Sequence, residues 1–373
     1  MPAARRDSLA FTVVVTVLVA LCALLMLLVI GLSGAPGSLL LATGLAALPV
    51  GPLVGCYLWL DRYEPEPKRL LMLGLLWGGF VATAAAILIQ GLGGLVVGFT
   101  DNQSLAIVAP VSEEACKGAF LLLLLWWRRA ELDGILDGIV YAGMVGVGFA
   151  FTENILYLAA AYNGTDGAGP GGTNALTATF VVRCLLSPFA HPLFTTFTGI
   201  GVGIAVNSRR GVVRVFAPLG GYLLAVAAHA IWNTSTIYGL GNFALVYLVL
   251  MAPALFGVAG LAVWARRSER RMLAAALGDA ARRGLVPATD IGWVVDLGAR
   301  RRARAYAKQV GGAAAERAMR EYQQAAVELG FLHHRYLRGT PPPDFAARGQ
   351  EYVARIGAVR PTIAFPGQVV PTR

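Results

Sequence analysis

The sequence predicts an all-α fold. A polytopic membrane bundle of about eight transmembrane helices, residues 1–265, is followed by a small basic helical cytoplasmic domain with a disordered end, residues 266–373. Three observations carry this expectation. The 373 residues are 57% hydrophobic and only 14% charged, with a mean hydropathy of +0.63, whereas soluble domains carry about 25% charged residues. The apolar residues gather into runs that approach or exceed the ~20 residues needed to cross hydrocarbon. The basic residues between the runs fall in alternate gaps, which sets an orientation.

The runs cover 9–32, 38–60, 70–98, 105–127, 135–161, 178–206, 214–238 and 243–265. The first exceeds the roughly 7–15 residues of a signal-peptide core, although Ser33-Gly34-Ala35 imitates a cleavage site. Arg5 and Arg6, then Arg62, Lys68 and Arg69, then Arg128 and Arg129, then Arg209, Arg210 and Arg214, then Arg266, Arg267, Arg270 and Arg271 occupy alternate gaps. The gaps between them contain no Lys or Arg. The expectation is a multi-pass protein of the cell membrane with both termini cytoplasmic. The 45 glycines suit close helix packing in lipid. Cys22, Cys56, Cys116 and Cys184 all lie within apolar runs, without disulfide or metal-type spacing, and read as small core hydrophobes.

Beyond residue 265 the character changes. This tail holds 19 Lys and Arg against 9 Asp and Glu, so all of the net charge of +10 lies there. A basic segment after a last span suits anionic lipid at the cytoplasmic face, and no nucleic acid partner is expected. Helical periodicity covers 272–283, 289–308 and 313–336, with Thr289 and Asp290 as helix starts. Pro341, Pro342 and Pro343 end that block, a shorter helix follows near 345–356, and the last dozen residues read as extended or disordered. The tail shows no chemistry of its own, and His333 with His334 reads as a solvated pair.

The chemistry is expected inside the spans. Residues 105–127 contain Glu113, Glu114 and Lys117, and each ionisable side chain at the centre of a span costs roughly 2.5–3.5 kcal/mol on insertion scales. Glu113 and Lys117 are i,i+4 neighbours able to pair, while Glu114 points about 100° away. With the orientation above, Glu113 lies about 12 Å from the outer end of its span, at 1.5 Å per residue. Glu153, His191 and His229 come from the fifth, sixth and seventh spans and reach a similar outer-half depth. Scattered structural pairs have no reason to agree in height.

Two histidines and a glutamate suit Zn²⁺ or another divalent ion with a position left for water. A separate glutamate then takes the proton of that water. Alternatively, a buried glutamate and a histidine act as base and acid without metal. Asn233, one turn after His229, suits either an oxyanion donor or a helix contact. Arg183 either snorkels to the surface or pairs with a pocket carboxylate. Pro188 and Pro192 should kink or loosen the helix around His191, a disturbance tolerated at membrane depth where it lines a cavity. The zinc signature HExxH is absent.

Glu113-Glu114-x-x-Lys117, Phe149-x-x-x-Glu153, His191 with Phe194-Thr195, and His229-x-x-x-Asn233 resemble the PrsW family of intramembrane proteases, relatives of CAAX prenyl endopeptidases and bacteriocin-processing enzymes. The resemblance covers roughly residues 40–265, which marks this part as protease-like. It implies a multi-spanning, metal-dependent peptidase acting on a membrane-anchored protein, with site-1 cleavage of an anti-sigma factor as the family role. Glu113 and Glu114 would be central to catalysis together with Asn233, with Glu153, His191 and His229 as metal ligands and Lys117 and Arg183 in support. Two features depart from the CAAX-type pattern: Glu153 stands where those relatives have His, and the last motif ends in Asn233 rather than a carboxylate. An ion- or proton-coupled transporter also needs buried Glu, His and Arg, but the paired half-repeats common in transporters are not evident.

Overall fold

The computed structural model describes residues 3–63, 65–165 and 169–367, and their side chains except those of residues 3–8 and 130. The Arg5 and Arg6 side chains and the end of the expected extended tail, residues 368–373, lie outside the described residues. No strand occurs among the described residues. The chain divides into two compact units, one of residues 1–61 and 66–262, the other of residues 62–65 and 263–373.

The first unit begins with α1 (Ala3–Leu32), α2 (Pro36–Ala47) and α3 (Val50–Leu60). The second apolar run is split into α2 and α3 at Pro49, whose missing N–H cannot continue the hydrogen-bond ladder. Next come α4 (Lys68–Leu76) and α5 (Thr83–Val97), joined through a wide π-type turn over Trp77–Ala82. A short α6 (Asp101–Gln103) and a second wide turn, Ser104–Val108, lead into α7 (Ala109–Trp127). Then follow α8 (Ile135–Asn163), α9 (Thr173–Phe180) with a wide turn over Val181–Leu186, α10 (Ala190–Asn207), and α11 (Gly211–Ile237). The bundle closes with α12 (Leu240–Val246), a wide turn over Tyr247–Met251, and the start of α13 (Ala252–Arg282).

Among the described residues, seven helical stretches are long and apolar enough to cross a membrane. The expected span at 105–127 is present as α7 with its lead-in, but Glu113, Glu114 and Lys117 keep it outside that apolar set. Many outward side chains, Leu21, Leu88, Leu95 and Leu223 among them, are apolar and exposed, as lipid-facing helices require. The protein is a multi-pass helical membrane bundle.

At the centre lies α8, buried along most of its length and packed against α10, α4 and α2. Its glycines allow the approach. A methyl group at Gly146 would stand 2.5 Å from Pro192 Cα and 2.9 Å from the His191 carbonyl carbon, so α10 touches α8 backbone to backbone there. Gly146→Ala is therefore expected to lower stability by about 1–3 kcal/mol, as overpacking does, and to move His191. Thermal unfolding of the purified variant in detergent measures the first effect, and the His191 imidazole signals in its NMR spectrum report the second.

The sixth span is broken, as its prolines suggest. Ser187 leaves helical geometry at φ −127°, and α10 restarts after Phe189. The interrupted backbone is satisfied locally: the Ser187 hydroxyl donates to the Val182 carbonyl at 2.7 Å, and the Tyr247 hydroxyl to that of Leu186 at 2.9 Å. His191 thereby sits in the first turn of α10 rather than in mid-helix.

Beyond the end of α3, Asp61 accepts the Glu66 backbone N–H at 3.1 and 3.0 Å, and Glu66 accepts the Tyr141 hydroxyl of α8 at 2.6 Å. Burial pushes the Asp61 carboxyl up to about 7 against the pull of that N–H. It pushes Glu66 well above the usual carboxylate range, against the Tyr141 hydrogen bond.

The second unit contains the end of α13, then α14 (Ile291–Val295), α15 (Leu297–Leu337) and α16 (Phe345–Val359). Asp296 caps α15 by accepting the Ala299 N–H at 2.8 Å, which divides the expected 289–308 helix. Gly312, at φ 69°, bends α15 where a side chain would be strained. Leu273, Leu277, Met319 and Tyr322 form its core. Buried Asp290 accepts the Tyr322 hydroxyl at 2.6 Å and pairs with Arg360. Two expectations are revised here. His333 is buried against Asp279 at 2.8 Å and stacked on Tyr336, not solvated. Ile363 and Phe365, expected in an irregular end, are buried in the core because their apolar side chains find its surface.

Candidate active site

Four helical spans bring the ionisable side chains together. Glu113, Glu114 and Lys117 come from α7, Glu153 from α8, Arg183 and His191 from the two sides of the broken span, and His229 from α11. The α7 backbone is tied to its neighbours by the Trp77 indole, which donates to the Cys116 carbonyl at 3.0 Å, and by the Tyr222 hydroxyl, which donates to that of Val111 at 3.0 Å.

Adjacent in sequence, Glu113 and Glu114 differ sharply in surroundings. Glu114 is completely buried, with Oε1 2.6 Å from Lys117 Nζ and 3.0 Å from His229 Nδ1, and Oε2 3.2 Å from the Thr195 hydroxyl. Its lone pairs are committed. Glu113 Oε1 accepts weakly from Gln90 Nε2 at 3.4 Å, whereas Glu113 Oε2 is buried with no hydrogen-bond partner. Lys117 Nζ and His229 Nε2 each stand 3.8 Å from that oxygen. A buried carboxylate oxygen without a hydrogen bond is costly in a folded protein, and these two nitrogens are its nearest compensation.

The hydrogen-bond network fixes the imidazoles. His229 Nδ1 faces a carboxylate, which only accepts, so this nitrogen carries a proton, and Nε2 points towards Glu113. His191 Nδ1 lies 3.2 Å from the Lys117 ammonium and accepts from it, while Nε2 donates to Glu153 Oε2 at 2.6 Å. Both of its ring nitrogens are engaged. The two imidazoles meet edge to face at 5.2 Å, and Phe194 stacks on His229 at 4.8 Å. Lys117 Nζ also lies 4.1 Å from the Phe149 ring centre, a cation–π contact that offsets part of its desolvation.

Arg183 resolves to the pairing alternative. It bonds Glu153, donates to Asn154 Oδ1 at 2.8 Å, and stacks over Tyr157 at 3.9 Å. The Asn233 amide donates to the Leu105 carbonyl at 3.0 Å, the helix contact that was one of its two expected uses, and the residue also lines the cavity. Among the described residues, the set of donors able to hold a metal ion is Glu113, His191 and His229, with one ligand atom from each within 4.8 Å of the others. Glu153, expected beside the two histidines as a ligand, is held instead by Arg183 and His191.

A cavity of about 680 Å³ opens onto these groups, lined by Gln90, Glu113, Glu153, Arg183, His191 and His229 among others. Glu114 and Lys117 are not on its wall. Gln90 was missed as a site residue in the sequence, and Thr195 entered only as part of the His191 motif, without a role. Gln90 is the one polar side chain between Ala84 and Val97, and Thr195 follows His191 by one helical turn; each signal was present but faint.

The model of the PrsW family intramembrane metalloprotease matches residues 66–258. A protease PrsW of Geobacillus kaustophilus is 29% identical over 174 residues, 46% of this chain and 70% of that protein. Protease PrsW of Bacillus subtilis strain 168 is 31% identical over 153 residues, 39% of this chain and 60% of that protein. Protease PrsW of Oceanobacillus iheyensis is 28% identical over 135 residues, 35% of this chain and 54% of that protein. The chain thus spans less than two thirds of the latter two relatives. No solved structure matches it. The matched stretch covers more than half of the sequence and takes in every ionisable group at the cavity, and the chain belongs to the PrsW family of intramembrane proteases, hydrolases of peptide bonds.

Proposed function

We propose that this chain cleaves a membrane-anchored protein by attack of a water held between Glu113 and His229. The observation that carries the reading is the open, buried Glu113 Oε2 facing the free Nε2 of His229 on the cavity wall. Glu113 accepts the proton of the attacking water and returns it to the leaving amide nitrogen as the C–N bond breaks, and His229 orients that water through its lone pair. Glu114 acts behind the wall: it fixes the His229 tautomer and neutralises Lys117. Glu153, steadied by Arg183, holds His191 in place, and Asn233 stands ready one turn from His229 to donate to the developing oxyanion.

The donor set fits a divalent ion. A carboxylate behind the distal nitrogen of a histidine, as Glu114 stands behind His229, is the usual support of a metal-bound imidazole, and the unpartnered Glu113 oxygen would gain a partner. Glu113, His191 and His229 would hold the ion, Zn²⁺ in the first instance, with His191 giving up its hydrogen bond from Lys117 to free a lone pair; when bound, the ion would polarise the carbonyl and acidify water. Purified protein is expected to contain about one divalent ion per chain, lost in His191→Ala; elemental analysis measures this directly. Full activity of a metal-free preparation would leave the Glu–His pair as the whole machinery.

The alternation of basic loops supports cytoplasmic termini, a cut in the outer half of the bilayer, and residues 266–373 as a cytoplasmic domain beside anionic lipid. A membrane-anchored anti-sigma factor, cut at its first site, is the proposed substrate. A transporter is not favoured, since the family match supports peptide hydrolysis. The test is reconstitution with a single-span substrate and location of the cut by mass spectrometry. Fragments ending in the outer half are expected; an intact substrate under all conditions refutes the reading.

A further inference from the structure

Building on this reading of Glu113, we propose that Gln90 is a positioning residue that holds the Glu113 carboxylate so that Oε2 faces the cavity. Its amide crosses from α5 to α7, with Nε2 3.4 Å from Glu113 Oε1 and 3.4 Å from Ser112 Oγ. Proton counting fixes which end of the amide points there. The Ser112 hydroxyl gives its hydrogen to the backbone, 2.7 Å from the Val108 carbonyl and 3.2 Å from that of Ala109, so its oxygen offers lone pairs to Gln90. Glu113 as a carboxylate offers only lone pairs as well. Two acceptors side by side require two donors, and the NH₂ end of the amide has two. Gln90 therefore forks across neighbouring residues of α7.

This bridge matters because Glu113 has a competing fate. The terminal torsion of a glutamate is broad and roughly two-fold, and Lys117 Nζ is 3.8 Å away at i,i+4. Unrestrained, the carboxylate would swing onto Lys117 and become an ordinary helix ion pair, closing the oxygen that water needs. By holding Oε1, Gln90 keeps Oε2 apart from the ammonium and open to the site. The same contact explains a side-chain amide in an otherwise apolar run, since an unpaired amide in such surroundings costs roughly 2–7 kcal/mol.

Gln90→Met keeps the length and removes both donors. Its kcat is expected to fall about 10–100-fold, the range for partners that orient a reacting group, with KM and thermal midpoint unchanged. Gln90→Glu, equal in size but without donors when ionised, should fall at least as far, and it carries the test if the methionine variant does not accumulate. In a Glu113→Gln background, Gln90→Met should cause no additional loss, because the group it positions is already gone. A purely structural role predicts instead a loss that follows stability and adds to that of Glu113→Gln. Parental kcat in Gln90→Met, with Glu113→Gln inactive, overturns this assignment alone. Full activity in Glu113→Gln overturns the proposed function itself.

Discussion

Glu113→Gln is expected to lower the cleavage rate by about 10²–10⁴-fold, the usual worth of a positioned general base, while leaving the bundle folded. The substitution keeps the shape of the side chain and its contact with Gln90 but removes the anionic oxygen that faces His229 Nε2. Because Glu113 Oε2 has no hydrogen-bond partner to lose, stability should be unchanged or slightly raised, which separates this variant from one that merely unfolds. Cleavage of a reconstituted single-span substrate gives the rate, and thermal unfolding of the same preparation gives the stability. A near-parental rate would remove Glu113 from the mechanism.

For Lys117→Met the expected loss is one of stability. Lys117 is wholly buried, 2.6 Å from Glu114 Oε1 and 3.2 Å from His191 Nδ1. Removing one partner of a buried pair leaves the other charge uncompensated, at a cost of about 3–5 kcal/mol. His229 and Thr195 still donate to Glu114, which places the expectation towards the lower end of that range. The double variant Lys117→Met/Glu114→Gln should recover much of the lost stability, since the stranded charge disappears with its partner, but not the activity, because the tautomer of His229 is no longer fixed. If the double variant were no more stable than Lys117→Met alone, packing of the lysine stem, rather than charge balance, would be its main contribution.

The bundle was legible because span length and loop charge are set by the bilayer, a solvent whose rules are simple. The convergence of Glu113, Glu114, Glu153, His191 and His229 was legible for the same reason: ionised groups are expensive at that depth, so each one present points to a partner. What could not be read was the division of labour. Adjacency and a 100° offset say that Glu113 and Glu114 face different ways, but not that Glu114 takes hydrogen bonds from His229 and Thr195 behind the wall while Glu113 lines the cavity. Glu153 was grouped with the histidines by type, whereas its neighbour Arg183 claims it. Gln90 is neutral, so its cost of insertion is small and its signal correspondingly weak. The wide turns at 77–82, 104–108, 181–186 and 247–251 leave no compositional trace at all, since they arise from how neighbouring helices fit.

The Glu114–Lys117 contact also bears on how the protein is made. These two side chains cancel within one turn of a single helix, so α7 carries a net charge of only −1 through its apolar length. It can leave the translocation machinery for lipid before the ribosome has produced His191 or His229. When those later segments arrive, they dock onto a charge pair already in place, and His229 comes to stand between the two glutamates.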